Sequence, residues 1–364
     1  MKSQRPLRIA CMAMGMLALL VGLWAGLLRL GWPWPTLRPT LPGHHGPLMV
    51  SGFLGTLIGL ERAVALGSLW AYVTPLSTVL GVLALLMGAP GNAGQLCMTV
   101  GSLGFVASVS AIMRRQPALF TITMGLGALA WLVGNSLWLA GWPIYRVAWW
   151  WAGFLVLTIA GERLELSRVL RPARGTQAAF LGVTGILVCG LVVIIVAFDL
   201  GVRLVGVGML ALALWLLRHD IARRTIGREG LPRFIAVCLL SGYLWLAVSG
   251  TLGLLFGGVM AGPHYDAMLH ALFLGFVVAM IFGHAPIIFP AILNWRVPFY
   301  HSFYIHLGLL HLSLFLRVAG DLAGWWPGRQ WGGLFNAVAF LVFLANTGRA
   351  LACRKAPVLP VSST

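Results

Sequence analysis

The chain has 364 residues, 60% of them hydrophobic and only 9% charged, and no water-soluble fold hides that much apolar surface in one core. Its formal net charge of +17 would point to nucleic acid in a soluble protein. With lipid as the solvent, nucleic acid is excluded as a partner, the bilayer takes its place, and the question becomes where along the membrane spans the bases fall.

A roughly 30 Å hydrocarbon layer is crossed by about 17 to 25 apolar residues, and such stretches recur twelve times. In chain order they are expected over 9–30, 47–66, 70–88, 93–113, 118–140, 147–161, 177–198, 203–217, 233–256, 266–291, 300–319 and 332–351. The first has the basic start of a signal peptide, but it lacks a small-residue cleavage site and eleven spans follow, so it reads as helix 1. A Pro-rich loop (Pro33, Pro35, Pro39, Pro42) then leads through His44 and His45 into helix 2, which closes on Glu61 and Arg62. Helix 6 starts among Trp149, Trp150 and Trp151 and closes on Glu162 and Arg163; a loop over 218–233 holds His219. Helix 10 opens on His264, Tyr265, Asp266 and His270, passes His284, and is interrupted by Pro286 and Pro290. Helix 11 carries His301, His306 and His311.

With both termini placed inside, nineteen basic residues fall on the cytoplasmic side, among them Lys2, Arg114, Arg115, Arg218, Arg296, Arg354 and Lys355. Only Arg29, Arg38, Arg146, Arg203, Arg317 and Arg329 fall on the other. By the positive-inside rule this fixes the orientation and points to a bacterial inner membrane. Trp32, Trp34, Trp142, Trp149, Trp150, Trp151, Trp325, Trp326 and Trp331 collect where helices meet the outer interface and serve as anchors there. Cys11, Cys97, Cys189, Cys238 and Cys353 form no C-x-x-C or C-x-x-C-H pattern, which argues against disulfides and covalently attached haem.

The chain also resembles itself. The run from Gly52-Phe53-Leu54 to Glu61-Arg62 returns 101 residues later as Gly153-Phe154-Leu155 to Glu162-Arg163, with six of eleven positions identical. A weaker copy, Gly275-Phe276 to Ile281 and His284, puts histidine where the others have glutamate. The copies lie in helices 2, 6 and 10, so the expected fold is an all-α integral membrane protein of three parallel four-helix repeats, about 1–115, 116–218 and 233–352, around a pseudo-threefold axis.

Ionisable groups within spans are costly unless they bind or pair with something. His270 and His284 are fourteen residues apart; on a regular helix they share a face and are separated by about 21 Å. Imidazole ligates haem iron and copper when its second nitrogen is oriented, so His44, His45, His264, His270 and His284 are the candidate ligands. The competing reading is metal-free, with these side chains bonding between helices or lining a proton path. For Glu61, Arg62, Glu162 and Arg163, ion pairing across repeats, such as Glu61 with Arg163, is the economical explanation. A proton path that includes His306 is the other.

Twelve helices with ligands on helices 2 and 10 resemble the haem-copper oxidase catalytic subunit, and within that plan the chain is more similar to the NnrS family. The resemblance rests on His270-Ala271-Leu272-Phe-Leu-Gly275 followed by Gly283-His284, and on His44-His45-Gly46-Pro47-Leu48-Met49. It implies a haem- and copper-binding membrane protein linked to nitric oxide metabolism and nitrosative stress, supplied with electrons by a redox protein or a quinol, with His45, His270 and His284 as ligands and His44 as substitute. No histidine occurs between His45 and His219; the copper-site histidines of a true oxidase are thus absent, which argues against an oxygen-reducing proton pump. A proton-coupled transporter and a metal-free assembly factor are the alternative functions.

Overall fold

The computed structural model describes residues 4–293 and 297–352. Lys2, Arg296, Cys353, Arg354 and Lys355, counted above, lie outside the described residues. Twelve helices are long and apolar enough to cross a membrane: α1 (Arg5–Arg29), α2 (Leu41–Leu66), α3 (Leu69–Met87), α4 (Ala93–Arg115), α5 (Leu119–Leu139), α6 (Ile144–Leu170), α7 (Arg174–Val196), α8 (Phe198–His219), α9 (Leu231–Phe256), α10 (Pro263–Ile292), α11 (Phe303–Leu322) and α12 (Trp326–Ala352). Each overlaps one of the twelve expected stretches, no strand occurs among the described residues, and the chain is built as a multi-pass membrane protein.

The largest discrepancy in length is α6, which continues to Leu170 although its apolar run ends at Gly161. The helix runs on through Arg163 because the guanidinium meets Asp220 in a two-pronged pair, Nε to Oδ2 at 2.9 Å and Nη2 to Oδ1 at 3.0 Å. A charge held this way no longer requires water.

Consecutive helices pack side by side, and α12 returns against α1. Helix α10 also touches α2 and α6. These three, the carriers of the repeated Gly-Phe motif, are the most enclosed spans, with 61% of the apolar stretch buried in α2, 78% in α6 and 67% in α10. Enclosure of α6 corrects one expectation. Trp149, Trp150 and Trp151 are 1%, 6% and 1% exposed, so they are core side chains rather than interface anchors, whereas Trp325, Trp326 and Trp331 stay exposed.

Helix α2 winds as a π-helix over Leu48–Gly55 and α10 over Ala271–Val278. Both ends of the two segments are 223 residues apart, the offset that relates Gly52-Phe53 to Gly275-Phe276. A wider turn changes the angle per residue, so the fourteen-residue spacing from His270 to His284 no longer fixes their relative direction; their contacts do.

A buried polar knot ties α2 to α5 and α6. Trp151 Nε1 and Ser51 Oγ both donate to Asn135 Oδ1 (2.9 and 3.1 Å), Trp131 Nε1 donates to Ser51 Oγ (3.0 Å), and Asn135 Nδ2 donates to the Met98 carbonyl (3.1 Å). Replacing Asn135 by Leu strands the Trp151 N–H and is expected to cost about 1–3 kcal/mol for that unsatisfied group, read as a lowered thermal unfolding midpoint in detergent. An unchanged midpoint shows that the knot does not hold these helices.

Candidate functional site

At the tryptophan-rich end, α1, α2, α6, α10, α11 and α12 enclose a cavity of about 220 Å³. Leu27, Phe53, Trp151, Phe273 and Phe340 make its walls apolar, and His45, His270, Asp266, Arg317 and Arg329 bring polar groups to it. Mostly apolar walls with a few convergent polar groups are the usual make-up of a ligand site.

His45 enters the cavity from the start of α2, where a short 3₁₀ turn over Leu41–His44 delivers the chain. Its Nδ1 lies 2.8 Å from the Gly22 carbonyl oxygen of α1. The ring can lie there because residue 26 has no side chain: a Cβ on Gly26 would stand 2.8 Å from the imidazole Cε1. His270 enters from α10, with Nδ1 2.9 Å from the Asp266 carbonyl oxygen and 3.3 Å from the Asp266 carboxylate. A carbonyl oxygen only accepts, so Nδ1 carries the hydrogen in both rings and Nε2 carries the lone pair. This is the tautomer of an imidazole prepared as a ligand. The two rings face each other with centroids 6.2 Å apart and planes inclined by 21°.

Asp266 does more than orient His270. Arg317 of α11 grips its carboxylate with both prongs, at 2.8 and 3.0 Å, and Arg329 of α12 approaches it at 3.6 Å while lying 3.0 Å from Asp321. Four ionisable side chains on three helices thus gather around His270. In the sequence reading Arg317 and Arg329 are only outer-side bases in the charge count, and Asp321 has no role. The signal was present, since the chain has only eight acidic residues and each one near a span needs a partner.

The other histidines are elsewhere. His44 does not line the cavity, and His264 stacks on Phe256 at 4.0 Å. His311 is fully bonded, receiving Trp245 Nε1 on Nδ1 (3.0 Å) and meeting Ser241 Oγ at Nε2 (2.8 Å). His306 is buried among Phe282, Phe303 and Phe343, with Nδ1 beside Asn346. His301 is exposed, and His219 rests on the Trp215 carbonyl. Among the described residues, no three His, Cys, Asp or Glu side chains gather as they would around a metal ion, so His264, His270 and His284 are not brought together.

Toward the opposite, basic end lies a second polar layer. Arg62 of α2 pairs with Glu162 of α6, the reverse of the expected Glu61–Arg163 pairing, and Arg163 takes Asp220 instead. His284 of α10, with Nδ1 2.7 Å from the Met280 carbonyl oxygen, lies within electrostatic reach of Arg163, Glu61 and Asp220.

Residues 8–351 match the family described as Domain of unknown function (DUF8744), and the chain belongs to that family. A comparison with curated proteins finds no match.

Because Arg317 and Asp266 are only 8% and 13% exposed, Arg317→Ala leaves a carboxylate enclosed beside Asp321 with one guanidinium for two acids. Breaking such a pair costs about 3–5 kcal/mol, and the thermal midpoint in detergent is expected to drop accordingly. A variant as stable as the native protein contradicts the pairing.

Proposed function

We propose that this member of the DUF8744 family is a haem-binding protein of the bacterial inner membrane, with both termini cytoplasmic, in which His45 and His270 would hold the iron. One observation carries the reading: two imidazoles on central helices face one space, each with Nδ1 engaged by a backbone carbonyl and Nε2 available. The donors suit the group by their chemistry: imidazole is an ordinary ligand of haem iron, and both rings line one cavity. Copper accepts imidazole as well, and is the second metal this pair suits.

The residues have separable tasks. The Gly22 carbonyl and Asp266 hold the rings in the ligating tautomer, Arg317 and Arg329 hold Asp266, and the apolar walls exclude water. Bound haem would supply one-electron and small-gas chemistry. A nitric oxide or nitrosative-stress role, with electrons from a redox protein or quinol, follows from the resemblance to NnrS proteins. In this reading His264 and His284 take no part in ligation. The three four-helix repeats belong to the same proposal and draw support from the π segments in equivalent register and from the enclosure of α2, α6 and α10.

Protein purified in detergent from haem-replete cells is expected to show a Soret band and a reduced-minus-oxidised haem spectrum, with stoichiometric iron. His45→Ala and His270→Ala should each remove or shift that spectrum, and His264→Ala should leave it intact. No Soret band and no bound metal in the folded native protein would reject the proposal.

A further inference from the structure

All eight acidic side chains of the chain lie among the described residues, so its negative charge can be followed completely. Six are in ion pairs: Asp199 with Arg203, Asp220 with Arg163, Asp266 with Arg317, Asp321 with Arg329, Glu162 with Arg62, and Glu165 with Arg168. Glu229 is exposed in the loop before α9, and Glu61 is partly buried within α2. The basic end of the bundle therefore carries arginines that no carboxylate of the chain matches. Arg171 and Arg174, where α6 passes into α7, are exposed, and their side chains form no hydrogen bond or ion pair among the described residues.

Their place on the bundle is fixed from two sides. Arg168, in the 3₁₀ turn over Ser167–Leu170, sets its guanidinium carbon 4.6 Å from the centre of the Phe120 ring at the start of α5. On the other side Trp215 Nε1 of α8 donates to the Thr176 carbonyl at the start of α7 (3.0 Å). Arg174 stands within one turn of the apolar run over 177–198, which puts its charge in the headgroup layer beside the hydrocarbon.

The same connection exposes apolar side chains between its arginines, Leu166 at 49% and Val169 at 79%. Beneath it, α7 is one of the two least enclosed spans, with 33% of its apolar stretch buried, and Leu181, Ile186 and Val192 are exposed along it. Guanidinium groups at headgroup depth above an open apolar helix face complement a molecule with phosphate at one end and acyl chains at the other. A soluble anion or an acidic protein segment would match the arginines and leave that face unused. The loop before α9 makes the contrast. It carries Arg223, Arg224 and Arg228, and from Leu217 to Leu231 no large apolar side chain is exposed among the described residues.

We propose that Arg168, Arg171 and Arg174, with the open face of α7 below them, form a binding site for an anionic phospholipid, its phosphate against the guanidinium groups and its acyl chains along α7. Orientation in the membrane requires basic residues at this end but not at this spot. The inference does not depend on haem, since the site shares no residue with the two-imidazole cavity; it needs only that the chain spans a bilayer.

The test is native mass spectrometry of the full chain in detergent, titrated with phosphatidylglycerol or with phosphatidylcholine. A basic residue near an anionic headgroup contributes about fivefold in affinity, so Arg171→Gln combined with Arg174→Gln is expected to weaken the first phosphatidylglycerol by about 25-fold and to change phosphatidylcholine far less. Arg224→Gln combined with Arg228→Gln removes the same charge from the other loop and should leave both affinities as they are. Phosphatidylglycerol should also raise the thermal midpoint of the native protein, and inorganic phosphate should not. Equal affinity for phosphatidylglycerol in native protein and both double variants overturns the proposal, as does an equal loss in the two variants. Stabilisation by inorganic phosphate alone overturns it as well, since the site would then hold a soluble anion. Both substituted side chains are exposed and unpaired, so the variant is expected to fold; should it not, Arg174→Gln against Arg224→Gln gives the same comparison.

Discussion

Hydrocarbon solvates neither an ionised side chain nor an open backbone group, and that constraint organises the whole molecule. Every acid within a span but one is matched with an arginine on another turn or another helix. Four of the pairs lie in two layers, Asp266 with Arg317 and Asp321 with Arg329 at the tryptophan-rich end, and Glu162 with Arg62 and Asp220 with Arg163 at the basic end, while Asp199 with Arg203 and Glu165 with Arg168 are exposed pairs within single helices. Each layer joins helices that are distant in sequence, and the first sets His270 of α10 against His45 of α2.

The tryptophan-rich layer turns a packing device into a site. Arg317 fixes Asp266, Asp266 fixes His270, and the Gly22 carbonyl fixes His45, so both rings are positioned by groups that are themselves held. Second-sphere fixation of this kind is what a ligating imidazole requires. The absence of a side chain at Gly26 is part of the same arrangement, because α1 must come close enough for its carbonyl to reach His45. The π segments start three residues after His45 and one residue after His270, so the local widening of the helix is placed where the rings must be aimed.

Much of the architecture was legible in the sequence because lipid imposes length and hydropathy on each span, and all twelve helices overlap the stretches so expected. Helix ends were less legible. Arg163 reads as a terminus by hydropathy, yet the helix continues once Asp220 is found. Trp150 reads as an interface residue, yet 78% of the apolar stretch of α6 is buried and Trp150 is core. At the site, His45 and His270 were legible as intramembrane histidines near helix starts, while their distinction from the neighbouring His44 and from His264, six residues before His270, was not, since these residues differ only in the face of the helix they present. The roles of Arg317, Arg329 and Asp220 depend on contacts between helices far apart in the chain, which no local pattern records. The count of fourteen residues between His270 and His284 does not by itself fix their register, because the π winding between them has no clear composition signal.

The most direct test of the account is an experimental density map of the protein in a lipid nanodisc, by electron cryo-microscopy, at a resolution that shows ring orientation. The account predicts the His45 and His270 rings about 6.2 Å apart, with each Nδ1 on its backbone carbonyl and both Nε2 atoms turned toward one enclosed space. Rings directed at lipid, or separated too widely to share any ligand, would contradict it and leave only the helical bundle.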